Sequence, residues 1–370
     1  MSGGVDSGVA AARLHEAGHE VVGVTLHLWD SPDDPDAKGA HGRCCAPEDQ
    51  YDARRTADAL GFRHFTFDRR ALFEEQVVAP FVAAYAEGRT PSPCSACNRT
   101  VKLRELLGLA QRFEADAIAT GHYARVVRDE AGRAFLAEGT DKNKDQSYFL
   151  YATPDALVQK LVFPLGESTK DEVRAEALAR KLPGASKGES QELCFVGQGA
   201  HAYADFVEAR TDKVRPGPIL DGAGRVVGQH DGIHRFTIGQ RKGLGVALGK
   251  PAFVTRIDAA RGEVHLGEAS GLEARGCTLV DTHFAGGVEL PLRARVRVRY
   301  RHEGAMAHVF EEAGKVRVVF DAPVRALTDG QVAVLYDRDR VLGGGTIEAV
   351  IRDPQSAALP TQGAQGVNAP

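Results

Sequence analysis

Three groups of residues in this 370-residue chain have types and spacings that could do chemistry. The first opens the chain: Ser2-Gly3-Gly4-Val5-Asp6-Ser7, followed at once by a helix-like segment. Adjacent glycines let the backbone turn tightly with its N–H groups exposed. Two serines add hydroxyl donors, and a helix N-terminus contributes partial positive charge, so the segment is an anion cradle suited to phosphate. No GxxxxGK[ST] pattern is present, which excludes the phosphate loop of a kinase or GTPase. The second group is Cys94-Ser95-Ala96-Cys97, just before a helix, with Cys194 far along the chain. A CxxC pair can chelate a metal, form a redox disulfide or help hold an iron–sulfur cluster. At a helix N-terminus Cys97 is expected to gain thiolate character. Zinc wants four ligands, whereas Cys94, Cys97 and Cys194 with an open corner suit a cluster that keeps one iron free for an exogenous sulfur. Cys44 and Cys45 are adjacent, a poor geometry for chelating one metal, and the isolated Cys277 reads as packing. The third group is Arg293-Ala-Arg-Val-Arg-Val-Arg-Tyr-Arg301. In a strand, period 2 places all five guanidinium groups on one face. Such a row implies an anionic partner, for which a phosphate backbone fits; pairing with Glu311 and Glu312 is the alternative.

Elements that could position these groups are legible around them. Helix-like segments at Ser7–Ala17, Asp49–Leu60, Ala71–Glu87 and Val101–Glu114 alternate with strand-like Glu20–Leu28, Phe62–Phe67 and Asp116–Thr120, which predicts βαβ units and a parallel sheet covered on both faces. Beyond about residue 200, glycine and turn pairs become dense and short Val/Ile/Phe runs replace the helices, predicting a small β-rich module over 201–275 and a barrel over 276–353. The Pro/Gly/Ala/Gln-rich 354–370 is expected to be disordered. A phosphate loop of this kind should follow a buried strand, yet only Met1 precedes it. Either the sheet lacks that strand or the start is assigned too late, and the second is favoured.

Composition narrows the class. Apolar residues make up 43% and charged residues 26%, with a net charge of −4, a soluble balance that argues against wholesale nucleic-acid coating but leaves room for a local basic surface. Six cysteines are too few for a disulfide scaffold. No apolar run reaches the roughly 18 residues of a membrane helix, and no signal-peptide layout opens the chain, so the expected location is the cytoplasm.

The loop at 2–7 resembles the pyrophosphate-binding loop of the N-type ATP pyrophosphatases, the adenine nucleotide alpha hydrolase-like fold. With CNRTVK (97–102), ATGHYAR (119–125), DKNKDQSYFL (141–150), ESQELCFVG (189–197), GQHDGIHRFTIGQRKGLG (228–245) and RVRYR (297–301) in order, the chain from its first residue to about residue 353 resembles the bacterial tRNA-specific 2-thiouridylases. That resemblance implies an enzyme that uses ATP and Mg²⁺ to adenylate the C2 oxygen of the wobble uridine in Lys, Glu and Gln tRNAs and then replaces it with sulfur. It implies ATP contacts from Ser2, Gly3, Gly4, Val5, Asp6, Ser7 and Gly121, and from Leu26, where the family usually has a methionine beside the adenine. It makes Cys97 the nucleophile and Cys194 the persulfide carrier, with a Cys97–Cys194 disulfide closing the reaction. It places tRNA against His122, Lys144, Asp145, Gln146, Arg299, Tyr300 and Gln331, although His122 alone would read as a core histidine. A sulfur donor is implied, either a cysteine desulfurase, a relay protein or free sulfide.

One departure bears on mechanism. Many members carry Asn-Pro-Asp where this chain has Ser92-Pro93-Cys94. Cysteine is a better iron ligand than aspartate, which favours a [4Fe–4S] cluster on Cys94, Cys97 and Cys194 slightly over the disulfide route. The competing readings are an ATP pyrophosphatase acting on a small molecule, which would need an ammonia source that no glutaminase-like segment supplies, and a non-enzymatic iron–sulfur or RNA-binding protein, against which the intact SGGVDS argues.

Overall fold

The computed structural model of the chain describes residues 1–30, 47–187, 193–197, 199 and 202–353. Cys44, Cys45 and the tail over 354–370 lie outside the described residues, so those expectations are not addressed below.

The first part is α/β. Helix α1 (Val5–Glu16) follows the glycine loop and buries Val5, Val9, Ala10 and Ala12, small residues that let its axis lie close to its neighbours. It leads into β1 (Gly23–His27), α2 (Pro47–Leu60) and β2 (His64–Asp68). Strands β1 and β2 pair in parallel from Gly23 against His64 to His27 against Asp68. A helical run then passes through α3 (Arg70–Phe73), a π segment and α4 (Ala79–Ala86). A second run joins α5 (Pro93–Cys97), the π segment Asn98–Lys102 and α6 (Leu103–Arg112). A short strand β3 (Ile118–Ala119) precedes the hairpin of β4 (Ala124–Arg128) and β5 (Ala134–Glu138). Next come α7 (Asp155–Val158) and β6 (Leu161–Val162), which pairs in parallel with β3. Helix α8 (Lys170–Ala179) starts at a capping box in which Thr169 and Glu172 satisfy each other's backbone N–H groups.

Helix α9 (Ala202–Glu208) leads into a four-stranded sheet of β7 (Gly217–Leu220), β8 (Val226–His230), β9 (Phe253–Asp258) and β10 (Glu263–Gly267), in the order β8-β7-β10-β9. The last part comprises β11 (Glu273–Phe284), β12 (Leu292–Arg297), β13 (Ala305–Glu312), β14 (Lys315–Arg325), β15 (Val332–Asp337) and β16 (Arg340–Ile351). Their order is β11-β14-β13-β12-β15-β16, and β16 pairs back onto β11, closing a six-stranded barrel. Val296, Val309, Val318, Leu335 and Ile347 fill it, and Cys277 is packed among them as expected, its thiol pushed up to about 12 by burial.

Two features of this architecture depart from the sequence reading. The hairpin β4–β5 continues the barrel sheet, with Ala137 of β5 opposite Arg340 of β16. The arginine row is not one solvent face either. Strand β12 stops at Arg297, and Arg297 is 7% exposed. Its guanidinium donates to Asp145 Oδ2 at 2.6 Å and Glu138 Oε1 at 3.3 Å, and also to the carbonyls of Tyr300 and His302. Arg295 pairs with Glu138 at 2.9 Å and lies over the Tyr336 ring, while Arg293 pairs with Asp321. The anionic partner inferred for these three arginines is therefore internal. Arg299 and Arg301 are exposed, past the strand end.

Removing one member of a buried ion pair leaves the other charge uncompensated, at a cost of about 3–5 kcal/mol. Arg297→Ala is expected to destabilise the chain by that amount in chemical denaturation. Arg299→Ala, at an exposed position, should change stability by no more than about 0.5 kcal/mol.

Candidate functional site

The phosphate loop owes its shape to two glycines. Gly3 has φ +71°, and a Cβ on it would stand 2.0 Å from the Asp49 carbonyl oxygen. Gly121 approaches the loop from the far side, where a Cβ would lie 2.9 Å from the Asp6 carbonyl carbon and the Ser7 nitrogen. Only glycine lets the 119–123 strand end come this close. Within the loop the Ser2 N–H donates to Ser7 Oγ at 3.0 Å, and Ser7 Oγ donates to the Gly4 carbonyl at 3.2 Å. Gly4 is the N-cap of α1 and brings no side chain to cap it, so the first-turn N–H groups and the helix dipole are available to an anion. Met1, just before the loop, is tied to β1: its carbonyl accepts from the Thr25 hydroxyl at 2.6 Å.

Asp6 is the acid of this cradle. Lys170 Nζ reaches both of its carboxylate oxygens at 2.7 Å, and the Tyr123 hydroxyl donates to Oδ1 at 2.8 Å. Behind the loop, Lys187 bridges Asp49 and Asp52 at 2.6 Å each. Neither lysine nor Tyr123 figured in the sequence reading. Lys170 did leave a trace there: a cation at the first position of a helix opposes the dipole, which makes sense once Asp6 is its partner.

The sulfur-bearing residues lie in a different environment. Cys97 is 6% exposed within a cluster of Phe73, Phe81, Val101 and Phe195, and Cys194 and Leu26 pack against the same cluster. The structure thus brings together Cys97, Cys194 and the residue expected beside adenine. Cys94 is separated from them. Helix α5 begins at Pro93, so Cys94 is in its first turn and Cys97 is its last residue, not at an N-terminus as the sequence suggested. Cys94 is exposed. Among the described residues no three His, Cys, Asp or Glu side chains converge as a metal site. The described residues thus show no convergent three-thiolate set for a [4Fe–4S] cluster on Cys94, Cys97 and Cys194, of which Cys94 is exposed and Cys97 buried. Asn98, next to Cys97, keeps a buried Oδ1 with no hydrogen-bond partner among the described residues, while its Nδ2 donates to the Phe149 carbonyl at 3.4 Å.

Of the residues the resemblance assigned to tRNA, several have internal work. Asp145 is 2% exposed and accepts from Gly139 N, Ser147 N, Ser147 Oγ and Arg297, so it supports the segment rather than facing solvent. Gln146 Oε1 accepts the Tyr123 N–H at 2.9 Å. Gln331 donates to the Thr90 and Pro91 carbonyls at 3.2 and 3.4 Å, tying the barrel to the loop that leads into α5. Tyr300 stacks on Phe149 with ring centroids 4.7 Å apart and 30° between planes, an aromatic platform beside the exposed Arg299. Lys144 is half-buried beside them. His122 Nδ1 meets Thr120 Oγ1 at 2.8 Å, and burial, aided by the charge of Lys102, lowers its pKa to about 3.

Comparison with known proteins adds to this geometry. Residues 1–198 match the tRNA methyl transferase HUP domain, 204–268 the tRNA methyl transferase PRC-barrel domain, and 274–347 the aminomethyltransferase beta-barrel domain. Over 359 residues the chain is 59% identical to the tRNA-specific 2-thiouridylase MnmA of Sorangium cellulosum, covering 95% of this chain and 92% of that protein. It is 49% identical to the protein of the same name from Moorella thermoacetica, covering 95% and 98%. No helix among the described residues is long and apolar enough to cross a membrane.

The lowered His122 value has a definite sign. The unfolded chain takes up a proton near the ordinary 6.5 and the folded chain resists it until about 3, so this contribution to stability is complete above 6.5 and drains away as pH falls toward 3. The His122 ring resonances in an NMR titration are expected to stay flat from pH 8 to 5; a midpoint near 6.5 would show the ring to be solvated.

Proposed function

This chain belongs to the family of tRNA-specific 2-thiouridylases, and from that footing we propose that it replaces the C2 oxygen of the wobble uridine in Lys, Glu and Gln tRNAs with sulfur. It is a tRNA sulfurtransferase that acts on uridine and uses ATP. The observation that carries the finer reading is the presence in one domain of an uncapped anion cradle at 2–7 and an apolar cluster that gathers Leu26, Cys97 and Cys194. Although the matching domain descriptions speak of methyl transfer, an ATP loop and a pair of cysteines are the equipment of adenylation and sulfur transfer.

In this reading the N–H groups of Gly3, Gly4 and Val5, with the hydroxyls of Ser2 and Ser7, hold the phosphates of ATP, and Gly121 allows the adenosine side to close against the loop. Leu26 provides the apolar wall for adenine. Asp6 brings a carboxylate to the cradle, which suits Mg²⁺, an ion that takes one or two protein carboxylates and the substrate's phosphates. Asp6 would hold the ion, which would supply charge neutralisation of the triphosphate. The uridine C2 oxygen attacks the α-phosphorus and pyrophosphate leaves, so the C2 oxygen becomes part of an AMP leaving group. The terminal sulfur of a Cys194 persulfide then adds to C2 and AMP departs with the original oxygen. Cys97 thiolate attacks the Cys194 sulfur, forming a Cys97–Cys194 disulfide and releasing the 2-thiocarbonyl. A thiol reductant returns the two cysteines, and a persulfide donor reloads Cys194. We assign catalysis to residues 1–200, a connecting role to 201–275 and tRNA binding to 276–353, with Lys144, Gln146, Arg299 and Tyr300 on the RNA side; the substrate places the enzyme in the cytoplasm.

The test is tRNA-dependent pyrophosphate release together with 2-thiouridine content by mass spectrometry. Asp6→Asn is expected to lower pyrophosphate release by about a hundredfold or more, the scale of losing a preorganised electrostatic contact, with tRNA affinity unchanged. Release at the wild-type rate would overturn the assignment of the loop.

The cysteines are separable in the same assay. Cys97→Ala and Cys194→Ala should each abolish 2-thiouridine formation, whereas Cys94→Ala should retain most of it. Equal loss in all three variants would restore three-thiolate ligation.

A further inference from the structure

The hydrogen bonds around Tyr123 connect the two ends of the reaction proposed above. Its side chain is 3% exposed and packs with Val5, Val9, Leu165 and Val173. Phenylalanine would fill that space equally well. What the tyrosine adds is a hydroxyl, donated to Asp6 Oδ1 at 2.8 Å, the oxygen that Lys170 also reaches. Its main chain is held at both polar groups by one residue. The Tyr123 N–H donates to Gln146 Oε1 at 2.9 Å, and the Gln146 N–H donates to the Tyr123 carbonyl at 2.8 Å. The crossing is tight: a Cβ on Gly139 would lie 2.9 Å from the Tyr123 carbonyl oxygen. One residue before Gln146, Asp145 receives Arg297 of β12. From the barrel to the phosphate loop, every link is a hydrogen bond or a peptide bond.

We infer that Tyr123 is a positioning residue through which tRNA bound at Lys144, on the segment that carries Gln146, sets the Asp6 carboxylate for ATP cleavage. The inference rests on the thiolation reading and adds to it a route from one substrate to the other. A Tyr side chain has only two rotatable bonds, and this one is walled in, so a shift of the Gln146 segment moves the Tyr123 main chain and its hydroxyl together. With two donors on Oδ1, Asp6 has one preferred setting. Without the hydroxyl it can follow Lys170 alone, and a displacement of about 1 Å at a reacting group is enough to cost orders of magnitude in rate.

The experiment measures pyrophosphate release at saturating ATP, Mg²⁺ and tRNA, and the dissociation constants of ATP and tRNA separately. Tyr123→Phe is expected to lower the tRNA-stimulated rate about tenfold, the scale of one hydrogen bond to a charged group, with both dissociation constants and the melting temperature near those of wild type. A wild-type rate, or a loss confined to ATP affinity, overturns the inference. Gln146→Met removes the acceptor of the Tyr123 N–H while keeping the tyrosine, and guards against a Tyr123 variant that fails to fold. Its rate at saturating tRNA should fall as well, and the double variant should be no slower than the worse single one, because both act on one path. Losses that multiply would mean two independent roles and would overturn it. If wild type shows no tRNA-dependent release at all, the thiolation reading itself fails, and this inference with it.

Discussion

Arg297, Asp145 and Glu138 are 7%, 2% and 8% exposed, and the placement of the catalytic loops depends on their meeting. Taking such ions out of water costs several kcal/mol each, and the contact is tolerable only when the geometry is good and the remaining donors are satisfied. Here they are: the guanidinium also donates to the carbonyls of Tyr300 and His302, and Asp145 also accepts from Gly139, from the Ser147 N–H and from the Ser147 hydroxyl. The course of residues 139–147 follows from that arrangement. Gln146 is thereby set against Tyr123, and Tyr123 against Asp6.

The two chemistries sit in contrasting surroundings. The phosphate loop is polar, presents unfilled N–H groups and keeps its carboxylate between a lysine and a phenol. Cys97 and Cys194 instead share an apolar cluster with phenylalanines and valines. In the proposed thiolation an adenylated uridine would be prone to hydrolysis, and apolar surroundings at the two cysteines would favour transfer to carbon over loss to solvent. The π segment that begins at Asn98, directly after Cys97, widens the helix at that point, a deviation found often beside functional residues.

Much of the nucleotide loop was legible in sequence because its demands are local: Gly3, Gly4 and Ser7 act within six residues of one another. The alternation of helices and strands was legible for the same reason, through periodicity and stop signals such as Gly18 and Gly61. Contacts across long sequence distances were not. Period 2 correctly put Arg295 and Arg297 on the face opposite Val296, but no local pattern could reveal that Asp145 and Glu138, more than 150 positions earlier, close over that face. The helix start was hidden similarly: it falls at Pro93 rather than near Asn98, so both cysteines lie within α5, Cys94 exposed and Cys97 buried. The roles of Tyr123 and Lys170 are pairings with Asp6 that exist only once α8 and the 119–123 segment have converged on the loop.

The continuation of the barrel sheet by the β4–β5 hairpin has a consequence for how the molecule is made. Ribosomes deliver Asp145 long before Arg297, so the nascent N-terminal portion holds that carboxylate without its guanidinium until β12 emerges, while Glu138 has Lys142 beside it from the start. The segment that frames Asp6 thus acquires its last support only when synthesis is nearly complete. The barrel is therefore not a freely exchangeable cassette: a transplanted version lacking the Arg297 equivalent would leave its host with a buried Asp145 carboxylate short of its guanidinium.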